Sequence, residues 1–152
     1  MKATIVIGVG NEYRGDDAIG LLVARRLKEL PVPHTQIIEA GGEGAALMEA
    51  WKEAETVILI DAVQSGASAG TIHRLDAQAQ QIPQRFFRYS THAFSVAEAI
   101  ELARALNQLP ARLLLYGIEG KDFAAGAELS TEVRYAAEEV IRRVLIELQM
   151  IC

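Results

Sequence analysis

Short runs of aliphatic and β-branched residues alternate along this chain with longer stretches of helical period, the pattern of an α/β sheet covered by helices on both faces. Ala3 to Val9 (ATIVIGV) predicts a buried strand. Asp16 to Leu30 predicts a helix, with Ile19, Leu22, Val23, Arg26 and Leu27 at near-helical spacing and Pro31 and Pro33 stopping it. Gln36 to Glu39 predicts a second, shorter strand, and Gly41, Gly42 and Gly44 punctuate the turn into a helix over about Ala45 to Lys52. Thr56 to Val63 (TVILIDAV) is the most apolar strand of the chain, the composition of a central strand covered on both faces. The next strand, Thr71 to Leu75, follows after only seven residues, Gln64 to Gly70. A parallel crossover needs about a dozen or more. That strand is therefore expected to run antiparallel to its predecessor and to make the sheet mixed. Beyond a polar loop containing Pro83, Ser95 to Leu106 predicts a helix and Arg112 to Ile118 (RLLLYGI) a strand. Thr131 to about Leu148 predicts a final amphipathic helix with Ser130 as its cap.

Composition narrows the function classes. A chain of 152 residues is sized for one domain, 1–152. With 51% hydrophobic residues it is too apolar for a disordered tail, yet no stretch approaches the roughly 20 apolar residues of a membrane-spanning helix. A net charge of -5 argues against nucleic acid, which calls for a clustered positive surface. The only cysteine is Cys152, so neither an intramolecular disulfide nor a cysteine metal cage is available, and a reducing cytoplasm is the expected compartment. The apolar run Ile5 to Val9 is too short for a secretory signal and leads straight into Asn11, Glu12, Arg14, Asp16 and Asp17, so export is not expected.

The first strand-to-helix turn, Gly8-Val9-Gly10-Asn11-Glu12-Tyr13-Arg14-Gly15-Asp16-Asp17, invites comparison with a dinucleotide fingerprint. The third glycine of G-x-G-x-x-G is missing, since Tyr13 stands there. Asp16 and Asp17 also put carboxylates where a helix N-terminus would hold pyrophosphate, which disfavours an anion and favours a cation. Glu39, near the end of the second strand, is the position a ribose contact would use. Helix capping is the structural alternative for the two aspartates, and one of them is expected to do only that.

Asp61 closes the apolar run Val57-Ile58-Leu59-Ile60 at the carboxyl end of the central strand. A carboxylate buried there is costly unless paired, hydrogen-bonded or metal-bound. In open α/β sheets ligands collect at the carboxyl ends of the strands where strand order reverses, and the first and third strands usually flank that point. Asp17 and Asp61 would then face one crevice. Acceptance of N–H bonds from its own turn is the structural alternative for Asp61. His92, in Tyr89-Ser90-Thr91-His92-Ala93-Phe94-Ser95, is the third candidate, because an imidazole with two carboxylates is a sound donor set for a divalent transition metal. His34 and His73 are read as solvated or incidental. No serine, cysteine or threonine stands in a nucleophile motif.

These residues resemble, nearly end to end, the hydrogenase maturation endopeptidases, which trim the C-terminal extension from the large subunit of nickel-iron hydrogenases. The resemblance rests on Gly8-Val9-Gly10-Asn11 with Gly15-Asp16-Asp17 and Gly20, on Gly41-Gly42, on Ile60-Asp61-Ala62, on Thr91-His92, and on Gly117-Ile118-Glu119 with Leu129-Ser130. It implies a three-layer α/β/α sandwich of phosphorylase/hydrolase-like type, whose five-stranded mixed sheet has its antiparallel fourth strand at an edge. It also implies metal contacts at Asp17, Asp61 and His92. Many relatives have Glu at the first of these, and some have an acid where this chain has Ala40. Relatives often have proline after Gly-Ile-Glu, where this chain has Gly120 and Lys121. The implied metal is nickel carried by the precursor, with zinc or cadmium as surrogates in vitro. The implied partner is the hydrogenase large-subunit precursor, with no nucleic acid and no membrane involved. Water is the implied nucleophile, activated by the metal or by a carboxylate. The alternatives are a nucleotide- or dinucleotide-binding enzyme, and a non-catalytic module that captures a metallated partner.

Overall fold

The computed structural model describes residues 3–87 and 92–151. β1 (Thr4–Val9), β3 (Thr56–Val63) and β5 (Arg112–Glu119) are buried along nearly their whole lengths, as parallel strands covered on both faces must be. Together with β2 (Thr35–Ala40) and β4 (Ile72–Asp76) they form one five-stranded sheet in the order β2-β1-β3-β5-β4. β2, β1, β3 and β5 are mutually parallel, while β4 lies at an edge, antiparallel to β5.

Strand alternation sorts the apolar side chains into two cores. Ile5, Ile7, Val9, Val57, Leu59 and Val63 face α2 (Gly44–Trp51) and α3 (Val96–Ala105), where Leu47, Trp51 and Ile100 complete the first core. Val6, Ile58, Ile60, Leu114 and Tyr116 face α1 (Ile19–Lys28) and α4 (Thr131–Ile151), where Val23, Leu27, Val140 and Val144 complete the second. The architecture is the expected three-layer α/β/α sandwich with a mixed sheet. Among the described residues no helix is long and apolar enough to cross a membrane.

The departures from the sequence reading have local causes. β4 runs antiparallel, as the short link demands, yet its neighbour is β5 and not its predecessor β3. Seven extended residues can reach roughly 23 Å, and stepping over one strand requires only about 10 Å. The Gly70 N–H donates to the Glu119 carbonyl and the Glu119 N–H to the Thr71 carbonyl, which seats β4 beside β5. The first helix starts three residues late, because Gly15–Ala18 form a separate 3-10 turn. α1 then begins where Gly20 meets the sheet. A Cβ on Gly20 would stand 2.2 Å from the Val9 carbonyl oxygen and 2.3 Å from that of Ile60, so only glycine lets the helix sit this close to β1 and β3. β2 is longer than its apolar run, since Thr35 and Ala40 at its ends take Thr4 and Val9 of β1 as partners.

Candidate functional site

From β1 the chain crosses to β2 on one side and then returns to β3 on the other, so the strand order reverses between β1 and β3. Parallel α/β sheets leave a crevice at the carboxyl ends of such a pair. A small cleft, open to solvent, lies there. Asp17, Asp61 and His92 all line it, together with Gly10, Asn11, Arg14, Gly41, Gly42, Phe87 and, at the start of α3, Ser95 and Val96. The three side chains singled out from the sequence, 75 residues apart at the extremes, thus border one cavity. Among the described residues no three His, Cys, Asp or Glu side chains stand close enough together to hold a metal ion between them.

Each of the three is held by different means. Asp61 is only 3% exposed and has the parity of Leu59 and Val63, so its carboxylate stands on the α2/α3 face of the sheet, where the helical cover gives way to the cleft. Its Oδ1 accepts the Ala62 N–H at 2.8 Å, which is the turn contact weighed against a ligand role. That bond fixes the carboxylate beside the cleft. Asp17 ends the glycine loop, and its backbone is locked: its N–H donates to the Arg14 carbonyl and its carbonyl accepts the Asn11 N–H. Gly10 makes that lock possible. A Cβ there would lie 2.0 Å from the Asp17 carbonyl oxygen. His92 stands on the exposed rim before α3, with Nε2 2.9 Å from the Gly41 carbonyl oxygen. A carbonyl only accepts, so a neutral His92 carries its proton on Nε2 and its lone pair on Nδ1, the tautomer in which a backbone carbonyl commonly orients a metal-binding imidazole. Thr91, its neighbour in the motif, lies outside the described residues.

The loop is poorly made for phosphate. Gly10 N–H donates to the Ala40 carbonyl, Tyr13 N–H to the Asn11 side chain, Arg14 N–H to the Asn11 carbonyl and Asp16 N–H to the Asp122 carbonyl. Most of the donors that would cradle a pyrophosphate are thus spent within the protein. Glu39 is equally unsuited to a ribose, since its carboxylate binds Lys28 at 2.8 Å and Arg25 at 2.9 Å on the α1 side of the sheet. The Lys28 hydrogen bond is the main reason its carboxyl is held below the ordinary value.

Asp16 does more than helix capping. No side chain caps either the 3-10 turn or α1. The Asp16 carboxylate, wholly buried, instead reaches across to the segment before α4. Its Oδ2 accepts the Lys121 N–H at 2.8 Å, the Asp122 N–H at 3.1 Å and the Ser130 hydroxyl at 2.7 Å, while Oδ1 accepts the Ser130 N–H at 2.7 Å. Burial opposes ionisation of this group, but these four donors outweigh it and hold the carboxyl below its ordinary value of 3.8. The Ser130 hydroxyl, expected to cap α4, is therefore given to Asp16. The clamp fixes the 121–130 segment against the glycine loop that carries Arg14 and Asp17. Arg14 adds a second tie, its Nε donating to the Phe123 carbonyl at 3.3 Å.

His73, read from the sequence as solvated or incidental, is partly buried and packed. It lies 3.1 Å from the buried Glu119 carboxylate, with its ring against Phe86 at 5.1 Å between centroids. Glu119 also accepts the Ser65 N–H and hydroxyl and the Gly66 N–H. This cluster fastens the turn after β3 to Phe86, next to the cleft-lining Phe87. Sequence reasoning missed both Arg14 and this cluster. A loop arginine reads as surface, and the only sign of Glu119 was its place in the Gly-Ile-Glu run.

Comparison with known proteins gives a consistent picture. The family model described as hydrogenase maturation protease matches residues 21–147. The chain is 28% identical over 154 residues to the putative hydrogenase maturation protease of Methanocaldococcus jannaschii, covering 97% of each. It is 27% identical over 150 residues to the hydrogenase 2 maturation protease of Escherichia coli K12, covering 95% of this chain and 90% of that one. Among solved structures it superposes on the hydrogenase maturating endopeptidase HybD from E. coli with a TM-score of 0.83 at 23% identity, over 97% of this chain and 93% of that one, a likeness of fold. The nickel-iron hydrogenase maturation protease HycI from Thermococcus kodakarensis superposes with a TM-score of 0.73 at 25% identity, over 97% and 93% of the two chains.

Proposed function

Because this chain belongs to the hydrogenase maturation protease family, we propose that it is the endopeptidase that removes the C-terminal extension of a nickel-iron hydrogenase large-subunit precursor once nickel is installed. The observation that carries this reading is the convergence of Asp17, Asp61 and His92 on one cleft at the strand-order reversal. Two carboxylates and an imidazole suit a divalent transition metal, and the nickel arrives as part of the substrate. In this reading the three side chains contact that nickel and dock the tail of the precursor, so that binding energy places one peptide bond for attack. Asp61 contributes a carboxylate of fixed orientation. Asp17 contributes one at the loop end, where its short side chain leaves room for a water, and His92 contributes Nδ1. Water is the nucleophile, activated by the nickel as Lewis acid or by one of the carboxylates as general base. The cytoplasm is the fitting compartment, since the single Cys152 offers no intramolecular disulfide.

The test uses purified precursor with and without nickel. Mass spectrometry is expected to show loss of the tail only with nickel and wild-type enzyme. Full processing by His92→Ala would refute the ligand assignment. Equal processing without nickel would refute the metal reading.

A further inference from the structure

Arg14 is the one guanidinium among the described residues lining the cleft, and it is half-buried. Its neighbours there include two carboxylates, Asp17 and Asp61, yet Arg14 forms no ion pair among the described residues; the one hydrogen bond of its side chain there is from Nε to the Phe123 carbonyl. That bond, to a segment clamped by Asp16, holds the group in place while engaging one of its five N–H donors. A half-buried cation that forms no ion pair among the described residues is a cost the fold tolerates where a ligand completes the pairing. The charge pattern of the cleft says which ligand. Its two aspartates repel negative charge, and peptide hydrolysis must develop negative charge on the carbonyl oxygen beside them.

We infer that Arg14 is a catalytic residue that donates to the oxygen of the scissile carbonyl and stabilises the oxyanion. The inference rests on the peptidase reading above. The water oxygen bonds to the carbonyl carbon as the π pair moves onto the oxygen facing Arg14, and a water proton passes to a cleft carboxylate. When the oxyanion re-forms the C=O bond, the C–N bond breaks with its electron pair going to nitrogen. The nitrogen takes the proton back to leave as an amine, and the proton still held by the new carboxylic acid then passes to that amine, so the products are a carboxylate and an ammonium. Electrostatic donors of this kind act on the transition state and much less on the ground state, so their signature lies in kcat.

The test compares wild-type enzyme, Arg14→Ala and Arg14→Lys on nickel-loaded precursor, with kcat and KM read from quantified tail release. Arg14→Ala is expected to lose about 10²–10³-fold in kcat with KM within about threefold, the range for loss of one oxyanion donor. Arg14→Lys is expected to fall between the two, because it keeps the charge and loses the fork. Ethylguanidinium added to Arg14→Ala is expected to restore kcat at least about tenfold and to leave wild type unchanged, a rescue that a merely structural arginine would not give. An unchanged kcat overturns the inference, as does a rise in KM alone, which would assign Arg14 to an anionic group of the substrate. A loss that neither lysine nor ethylguanidinium relieves also overturns it. If wild-type enzyme leaves the tail in place, the peptidase reading fails and this inference with it; if wild type cleaves and Arg14→Ala matches it, only the role of Arg14 falls.

Discussion

Replacing Asp16 by asparagine keeps the volume of the side chain and removes its charge and one acceptor. The four donors divide unequally, three on Oδ2 and one on Oδ1. The amide oxygen therefore does best in the Oδ2 position, which sets the NH₂ group against the Ser130 N–H. Hydrogen bonds to a charged group contribute about 1.5–3 kcal/mol and neutral ones about 0.5–1.5 kcal/mol, so the three retained bonds weaken by about 1 kcal/mol each. The orphaned Ser130 N–H costs about 1–3 kcal/mol more. An amide is easier to bury than a carboxylate, which returns part of this. The net loss is about 3 kcal/mol, a fall in Tm of about 6–12 °C for a domain of this size. The pH dependence carries a sign. Because the folded carboxyl is held below 3.8, its contribution to stability is present above that value and is lost as pH falls through the lower folded value. Urea and thermal melts of wild type and Asp16→Asn are thus expected to differ fully at about pH 7, with the gap closing below about pH 4. A Tm change under about 2 °C at neutral pH, or a gap that persists undiminished at about pH 2.5, would refute the clamp.

Gly10→Ala places a Cβ 2.0 Å from the Asp17 carbonyl oxygen, a backbone atom that must move; about 1–3 kcal/mol of destabilisation is expected, with tail removal per folded molecule falling by more than about tenfold in a steady-state assay. Glu119→Ala leaves the Ser65 and Gly66 donors and His73 without their buried acceptor. It is expected to cost about 3 kcal/mol and to speed amide exchange at Ser65 and Gly66 ahead of the central strands, as hydrogen-exchange mass spectrometry would detect. Burial, with the hydrogen bond to Glu147, pushes the Tyr116 hydroxyl up to about 12. Its contribution to stability is therefore present below pH about 10 and lost as pH rises through about 12, and ultraviolet titration is expected to show one tyrosine ionising last.

The central strand was readable to the residue, Thr56 to Val63, because burial on both faces makes it a nearly continuous apolar run. The direction of β4 was readable from chain length, but its neighbour was not. A short link sets polarity, whereas the place beside β5 depends on a strand that arrives some forty residues later. At the site, chemistry and the motif resemblance pointed to Asp17, Asp61 and His92, since carboxylates and imidazole at strand and loop ends are costly to explain otherwise. Asp16 and Asp17 could not be told apart in sequence. Their difference lies in donors 105 and 114 residues away, where Lys121 and Ser130 meet Asp16 while Asp17 faces the cleft. The contact of His73 with Glu119 was unreadable for the same reason, its partner lying on another strand.

The central claim is that three distant side chains share one divalent ion at the carboxyl end of the sheet. Anomalous diffraction from crystals soaked with cadmium tests it most directly. The account predicts one strong peak in the cleft, within about 2.0–2.5 Å of a carboxylate oxygen of Asp17, one of Asp61 and an imidazole nitrogen of His92. A peak held by other groups, or Asp61 and His92 binding separate ions, would contradict it.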